Sequence, residues 1–187
     1  MQDSAIQQSS HPAIVVMGVS GCGKSSVAEA CAKALGWQLL EGDAYHPAAN
    51  IEKMSAGIAL TDDDRAGWLD QLAELIKPQA IAQTGKGVVL TCSSLRRKYR
   101  DRLRAANPDM GFAFLDLSYD DALLRVQQRP GHFFSPALVA NQFATLERPV
   151  DEPDVLTLDA TLPIAELQVQ VVAWAERMHW IQAAPRA

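Results

Sequence analysis

The 187-residue chain reads as an α/β protein in which a parallel sheet lies between two layers of helices. Three observations predict this. Short apolar runs alternate with longer helix-forming segments along the whole sequence, the pattern of strands joined by crossover helices. The apolar run Ala13-Ile14-Val15-Val16-Met17 leads into a glycine-rich turn, and a helix-forming segment over 26–35 leads out of it. That turn, Gly18-Val19-Ser20-Gly21-Cys22-Gly23-Lys24-Ser25, fits G-x-x-x-x-G-K-[ST], the phosphate-binding P-loop.

The remaining elements follow in order. Gly36 stops the first helix, and Trp37-Gln38-Leu39-Leu40 supplies a second strand that ends in Glu41-Gly42-Asp43. A short helix is expected over 48–55, with loops on both sides. Thr61-Asp62-Asp63-Asp64 opens the next helix with a hydroxyl cap and acids suited to the positive end of the helix dipole. Trp68, Leu69, Leu72, Leu75 and Ile76 continue it at helical spacing, and Pro78 closes it or soon follows its end. The third strand is Gly87-Val88-Val89-Leu90-Thr91-Cys92. Ser93 or Ser94 is then expected to cap a helix running to about 106, stopped by Asn107-Pro108. Its basic run, 96–104, reads mostly as a solvated face, with Leu95, Tyr99 and Leu103 as an apolar stripe. Phe112-Ala113-Phe114-Leu115-Asp116-Leu117 is the fourth strand, and Ser118 caps a helix through Val126. Arg129-Pro130-Gly131-His132-Phe133-Phe134 breaks the pattern before Ser135-Pro136 restarts a helix. The fifth strand is Asp154-Val155-Leu156-Thr157-Leu158. A last helix over 163–178 is expected to bury Ile164, Leu167, Val171, Trp174 and Met178.

Length and composition fit one domain over 12–180, with a lid around 129–136 and flexible tails over 1–11 and 181–187. A net charge of −5 argues against nucleic acid as the main partner. No apolar run is long enough to span a membrane, and the polar stretch 1–11 lacks the core of a secretory signal. Cys22, Cys31 and Cys92 lack metal-ligand spacing, so free thiols in a reducing cytoplasm are expected.

In such a sheet, ligands bind beyond the carboxyl ends of the strands. At the first exit, backbone N–H groups of the P-loop surround nucleotide phosphates, Lys24 reaches their β/γ oxygens and Ser25 holds Mg²⁺. Cys22 reads as an inert small residue within the loop. At the second exit, Asp43 is the acid–base candidate for phosphoryl transfer, or else a turn residue. His46 either binds substrate or stabilises the same turn. Arg125 and Arg129 flank the irregular 130–134 segment, the natural place for a mobile lid whose arginine covers the γ-phosphate. Asp64-Arg65-Ala66-Gly67 fits the D-x-x-G of a GTPase, but it opens a helix, and no N-K-x-D segment exists.

Beyond the P-loop, several blocks together resemble the gluconokinases. They are Gly42-Asp43-Ala44-Tyr45-His46-Pro47, Asn50-Ile51-Glu52-Lys53-Met54, Leu60-Thr61-Asp62-Asp63-Asp64-Arg65, Trp68-Leu69, Cys92-Ser93-Ser94-Leu95, Tyr99-Arg100-Asp101 and Gly131-His132-Phe133-Phe134. The resemblance runs from about 13 to 175. It implies an ATP- and Mg²⁺-dependent kinase acting on the 6-hydroxyl of D-gluconate, strand order 2-3-1-4-5, and a homodimer. It further implies a nucleotide site of Gly18, Val19, Ser20, Gly21, Cys22, Gly23, Lys24, Ser25 and Ser26, with Arg125 stacked on adenine opposite Pro163. Asp43 becomes the group that orients or deprotonates the 6-hydroxyl, and Arg129 the lid arginine. His46, Lys53, Arg65, Ser93, Ser94, Arg96 and His132 become candidates for the gluconate pocket. The third strand ends without an aspartate for the metal, so Ser25, phosphates and water are the expected ligands, with Asp43 as an alternative donor. Two other readings remain: a kinase for another small polar acceptor such as shikimate, and a nucleotide sensor without turnover.

Overall fold

The computed structural model describes residues 11–128 and 136–182. Five parallel strands form one sheet in the order β2-β3-β1-β4-β5, as expected. They are β1 (Ala13–Met17), β2 (Gln38–Glu41), β3 (Val88–Thr91), β4 (Met110–Asp116) and β5 (Val155–Asp159). Strand β1 is central because every one of its side chains is apolar; all five residues are fully buried. The alternation of side chains divides the core in two. Ile14 and Val16 point toward α1 (Lys24–Leu35) and the last helix, where Val27, Cys31, Leu167, Val171 and Trp174 pack on them. Ala13, Val15 and Met17 face the other way, against Leu69 and Leu72 of α3 (Asp62–Leu75) and Tyr99 and Leu103 of α5 (Arg97–Arg104).

The pairing register decides where the site forms. Val16 and Glu41 both lie opposite Thr91, so β1, β2 and β3 end at one level. The P-loop, the Gly42–Tyr45 3₁₀ turn and the Cys92-Ser93 segment therefore emerge side by side. Gly42 is required there. A Cβ at this position would lie 2.1 Å from the Thr91 carbonyl oxygen, well inside van der Waals contact.

Local chemistry sets most helix ends. Gly36 ends α1 in the left-handed conformation at φ 65°. Helix α2 (Ala48–Ser55) has the expected bounds. At α3, Thr61 accepts from the Asp64 backbone N–H while Asp64 accepts from that of Thr61, a reciprocal cap. Ser118 caps α6 (Tyr119–Gln127) through the Asp121 N–H. Helices α7 (Pro136–Thr145) and α8 (Ile164–Arg177) complete the chain.

The structure departs from the sequence reading at four places. Pro78 does more than follow α3: it starts α4 (Pro78–Thr84), since its fixed φ and missing N–H suit a first helical position. Neither Ser93 nor Ser94 caps α5, which begins only at Arg97. The intervening chain is otherwise engaged: Ser93 O accepts from Gly18 N, Ser94 O from Arg100, and Leu95 O from Glu147 N. The Glu147 carboxylate, from far along the sequence, accepts the Arg97 N–H instead. Most α5 charges are solvated, as expected, but Arg100 and Arg104 are withdrawn from solvent. Arg100 is fully buried and forms a two-pronged pair with Glu152 at 2.5 and 2.9 Å. Finally, Ile164 is 46% exposed at the first position of α8, where it borders a pocket.

Candidate active site

The P-loop folds back over the start of α1. Gly23 supplies the α1 cap at φ 94°, a conformation in which an L side chain is strained. The Lys24 ammonium donates to the carbonyls of Gly18 and Val19 at 3.1 and 3.0 Å, which holds it over the loop. The Ser25 hydroxyl donates to Glu41 Oε2 at 3.1 Å, and Thr91 donates to the same oxygen at 2.6 Å. Thr91 in turn accepts the Gly42 N–H. A carboxylate and a hydroxyl thus meet at the P-loop serine, and both are the hard oxygen donors that Mg²⁺ prefers. Among the described residues, no group of three or more His, Cys, Asp or Glu side chains gathers as a metal site. Such an ion would complete its shell with phosphate oxygens and water.

Beside the loop lies a cleft with about 560 Å³ of non-atom space, part of it open to solvent. Ser20 and Lys24 form its floor, and Asp43 and His46 come from the 3₁₀ turn. Arg65 and Trp68 arrive from α3, and Ser93 from the β3 exit. Leu138, Asn141 and Gln142 of α7 form the far wall. The Asp43 side chain is 81% exposed, at the mouth, while that of His46 is 4% exposed. His46 stacks on Trp68 with ring centroids 4.0 Å apart, and Trp68 donates to the Gly42 carbonyl at 2.8 Å. The Asn50 amide lies 3.3 Å from His46 Nδ1 and also donates to the Asp64 carbonyl. With Nδ1 accepting from that amide, the proton sits on Nε2, which is 3.9 Å from Asp43. Burial pushes the His46 pKa below its ordinary 6.5; Asp43 opposes this and Arg65 adds to it. The imidazole is neutral at pH 7.

Lys53 and Arg96 are placed differently. Lys53 is paired with Asp64 at 2.6 Å, and Arg96 with Asp62 at 3.3 Å; neither lines the cleft. Asp62 also accepts from Lys98 and from the Tyr99 hydroxyl, which with Arg96 hold its carboxyl down at about 2. Arg65 lies over the Tyr99 ring at 5.8 Å and donates to the Leu60 carbonyl. Ser94 is buried and does not line the cleft. Arg129 and His132 lie outside the described residues.

A second pocket opens on the other side of the P-loop. Arg125 and Pro163 both line it, together with Cys22, Gly23, Ser26 and Leu162. Arg125 donates to the carbonyls of Gly21 and Ala160, so its guanidinium bridges the loop and the β5 exit. Burial pushes the Cys22 thiol up despite nearby Lys24, and the residue is 1% exposed. It is a packing residue. Cys31 and Cys92 are likewise buried, with thiols pushed up to about 12 and about 11.

A gluconokinase from Gluconobacter oxydans is 48% identical over 143 residues, 76% of this chain and 79% of that relative. The chain belongs to the gluconokinase family. The thermoresistant gluconokinase of Escherichia coli is 43% identical, with 82% of this chain and 87% of that one covered. The crystal structure of a gluconokinase from Sinorhizobium meliloti superposes with a TM-score of 0.79 at 45% identity, over 89% and 93% of the two chains. A family model described as an AAA domain matches residues 14–153.

Against this gluconokinase-family fold, the sequence did not single out Glu41, Thr91, Trp68 or Gln142 as site residues. Glu41 had a visible signal, because it ends β2 one residue from Gly42 and two from Asp43. Gln142 had none: it lies 122 residues from Ser20, whose backbone N–H it accepts.

Proposed function

We propose that the cleft transfers the γ-phosphoryl of ATP to the 6-hydroxyl of D-gluconate, giving 6-phosphogluconate and ADP. The observation that carries this is the meeting of Lys24 and Asp43 in one cleft walled by His46 and Arg65, on a chain of the gluconokinase family. The nucleotide lies along the P-loop, with adenine between Arg125 and Pro163 and the triphosphate on the loop N–H groups. Ser25 and Glu41 would hold Mg²⁺, which would supply positive charge to offset that of the phosphates. Arg65 takes the gluconate carboxylate, and His46 donates from Nε2 to a hydroxyl. Asp43 accepts the 6-hydroxyl proton as that oxygen bonds to the γ-phosphorus and the bond to the ADP oxygen breaks. Lys24 follows the transferring charge. Lys53 and Arg96 reach substrate only by leaving Asp64 and Asp62, so in this arrangement they fix α3 against α2 and α5.

A coupled ADP-release assay over gluconate, other aldonates, shikimate and nucleoside monophosphates tests the reading. Turnover with shikimate but not gluconate would sink it, and ATP binding without any turnover would leave a sensor. No helix among the described residues is long and apolar enough to cross a membrane. We further propose a cytoplasmic homodimer, which light scattering at twice the chain mass would support and at the single-chain mass would refute.

A further inference from the structure

Helix α7 is set over the P-loop by its buried face. Val139 is fully buried, Leu138 is 5% exposed, and Phe143 meets Tyr119 of α6 edge-on at 5.3 Å. Gln142 is one turn beyond Leu138, so both project into the cleft with Asn141. Its Oε1 accepts the Ser20 N–H at 2.6 Å. That bond uses the acceptor of the amide and orients its plane. The group left to the cleft is Nε2, with two N–H donors. Its place matters chemically: Ser20 and Lys24 belong to the phosphate side of the cleft, Asp43 and His46 to the acceptor side, and Gln142 lines both.

We infer that Gln142 is a positioning and specificity residue for the acceptor, donating from Nε2 to a hydroxyl of the polyhydroxy acid while its Oε1 remains tied to the P-loop. The inference rests on the gluconate kinase reading above. A neutral amide suits this task. It selects for hydroxyl oxygens without competing with Arg65 for the carboxylate, and its fixed plane makes the selection directional. Because one side chain touches both halves of the site, acceptor binding depends on the position of the P-loop.

Two variants separate the roles. Gln142→Glu keeps an acceptor for the Ser20 N–H and loses the donor; Gln142→Met loses both at nearly the same size. The expected result is a gluconate KM raised about tenfold or more in both variants. The ATP KM of the Met variant should change less than its gluconate KM, and the melting temperature of the Glu variant should stay near that of the wild type. A gluconate KM within twofold of wild type in the Met variant would overturn the inference, even if its melting temperature fell, because Gln142 would then be only a structural tie. Equal rises in the ATP and gluconate KM of the Met variant would also overturn it, by assigning the loss to the P-loop. Wild-type protein inactive on gluconate would overturn both this inference and the functional reading.

Discussion

Lys24 and Asp43 illustrate how much a single side chain is asked to do. Lys24 is held over the P-loop by two carbonyls, so its charge needs no reorganisation when phosphoryl transfer begins. Lys24→Ala should lower kcat/KM by about a hundredfold or more in the ADP-release assay. Asp43→Asn should lower kcat by a similar order while leaving ATP binding, measured by calorimetry, nearly unchanged. If Asp43→Asn retains wild-type turnover, the carboxylate is not the base. His46 carries a pH signature. Its folded pKa lies below 6.5, so between 6.5 and that lower value the unfolded chain binds a proton that the folded one does not. Its contribution is fully present above 6.5 and is lost as pH falls through the folded pKa. Melting temperature should therefore decline below pH 6.5, and His46→Phe, which keeps a ring on Trp68, should flatten that part of the profile.

At the scale of elements, helix α5 and the 147–152 segment are held by charges placed in the interior. Burial would raise the Glu152 pKa, but Arg100 and Arg104 outweigh it and bring it below the ordinary value. Removing one partner leaves an uncompensated buried charge, so Glu152→Ala should cost about 3–5 kcal/mol in urea unfolding. An effect under about 1 kcal/mol would mean that water reaches Arg100. The N-terminus of α3 is tied at the surface by Asp62 and Asp64, both with carboxyls held at about 2 by their hydrogen-bond donors. These ties are present above the ordinary carboxylate value of 3.8 and are lost as pH falls toward 2. The Thr61 cap stands at the same point, and Thr61→Ala should cost about 1 kcal/mol.

For the whole molecule, the site is a junction of strand exits rather than a property of any one element. The P-loop, the 3₁₀ turn and the β3 exit emerge side by side because three parallel strands end at one level. Helix α7 then closes the cleft from the far side. Nucleotide bound to this arrangement stabilises only the folded chain. ATP at a hundred times its Kd should add about 2.7 kcal/mol to stability. Arg125→Ala should weaken that effect by raising the ATP Kd, and an unchanged Kd would remove Arg125 from the adenine site.

The sequence by itself determined the five strands, most of the helices and the phosphate-binding loop. The five strands, the Gly36 stop, the Thr61 and Ser118 caps and the P-loop depend on residues within a few positions of each other, so local spacing reveals them. The family resemblance, rather than local spacing, pointed to Arg125 and Pro163 together, and both line the pocket beside the loop. What tertiary structure decided were the contacts between distant segments: Glu41 on Ser25, Glu147 on Arg97, Glu152 on Arg100, His46 on Trp68 and Gln142 on Ser20. The same remoteness explains the misread α5 start, where Ser93 and Ser94 had the side chains of a cap but their backbone was claimed from elsewhere. A carboxylate or an amide has no periodicity that announces its partner. Its partner is set by which strand ends and helix faces the sheet brings within hydrogen-bond reach.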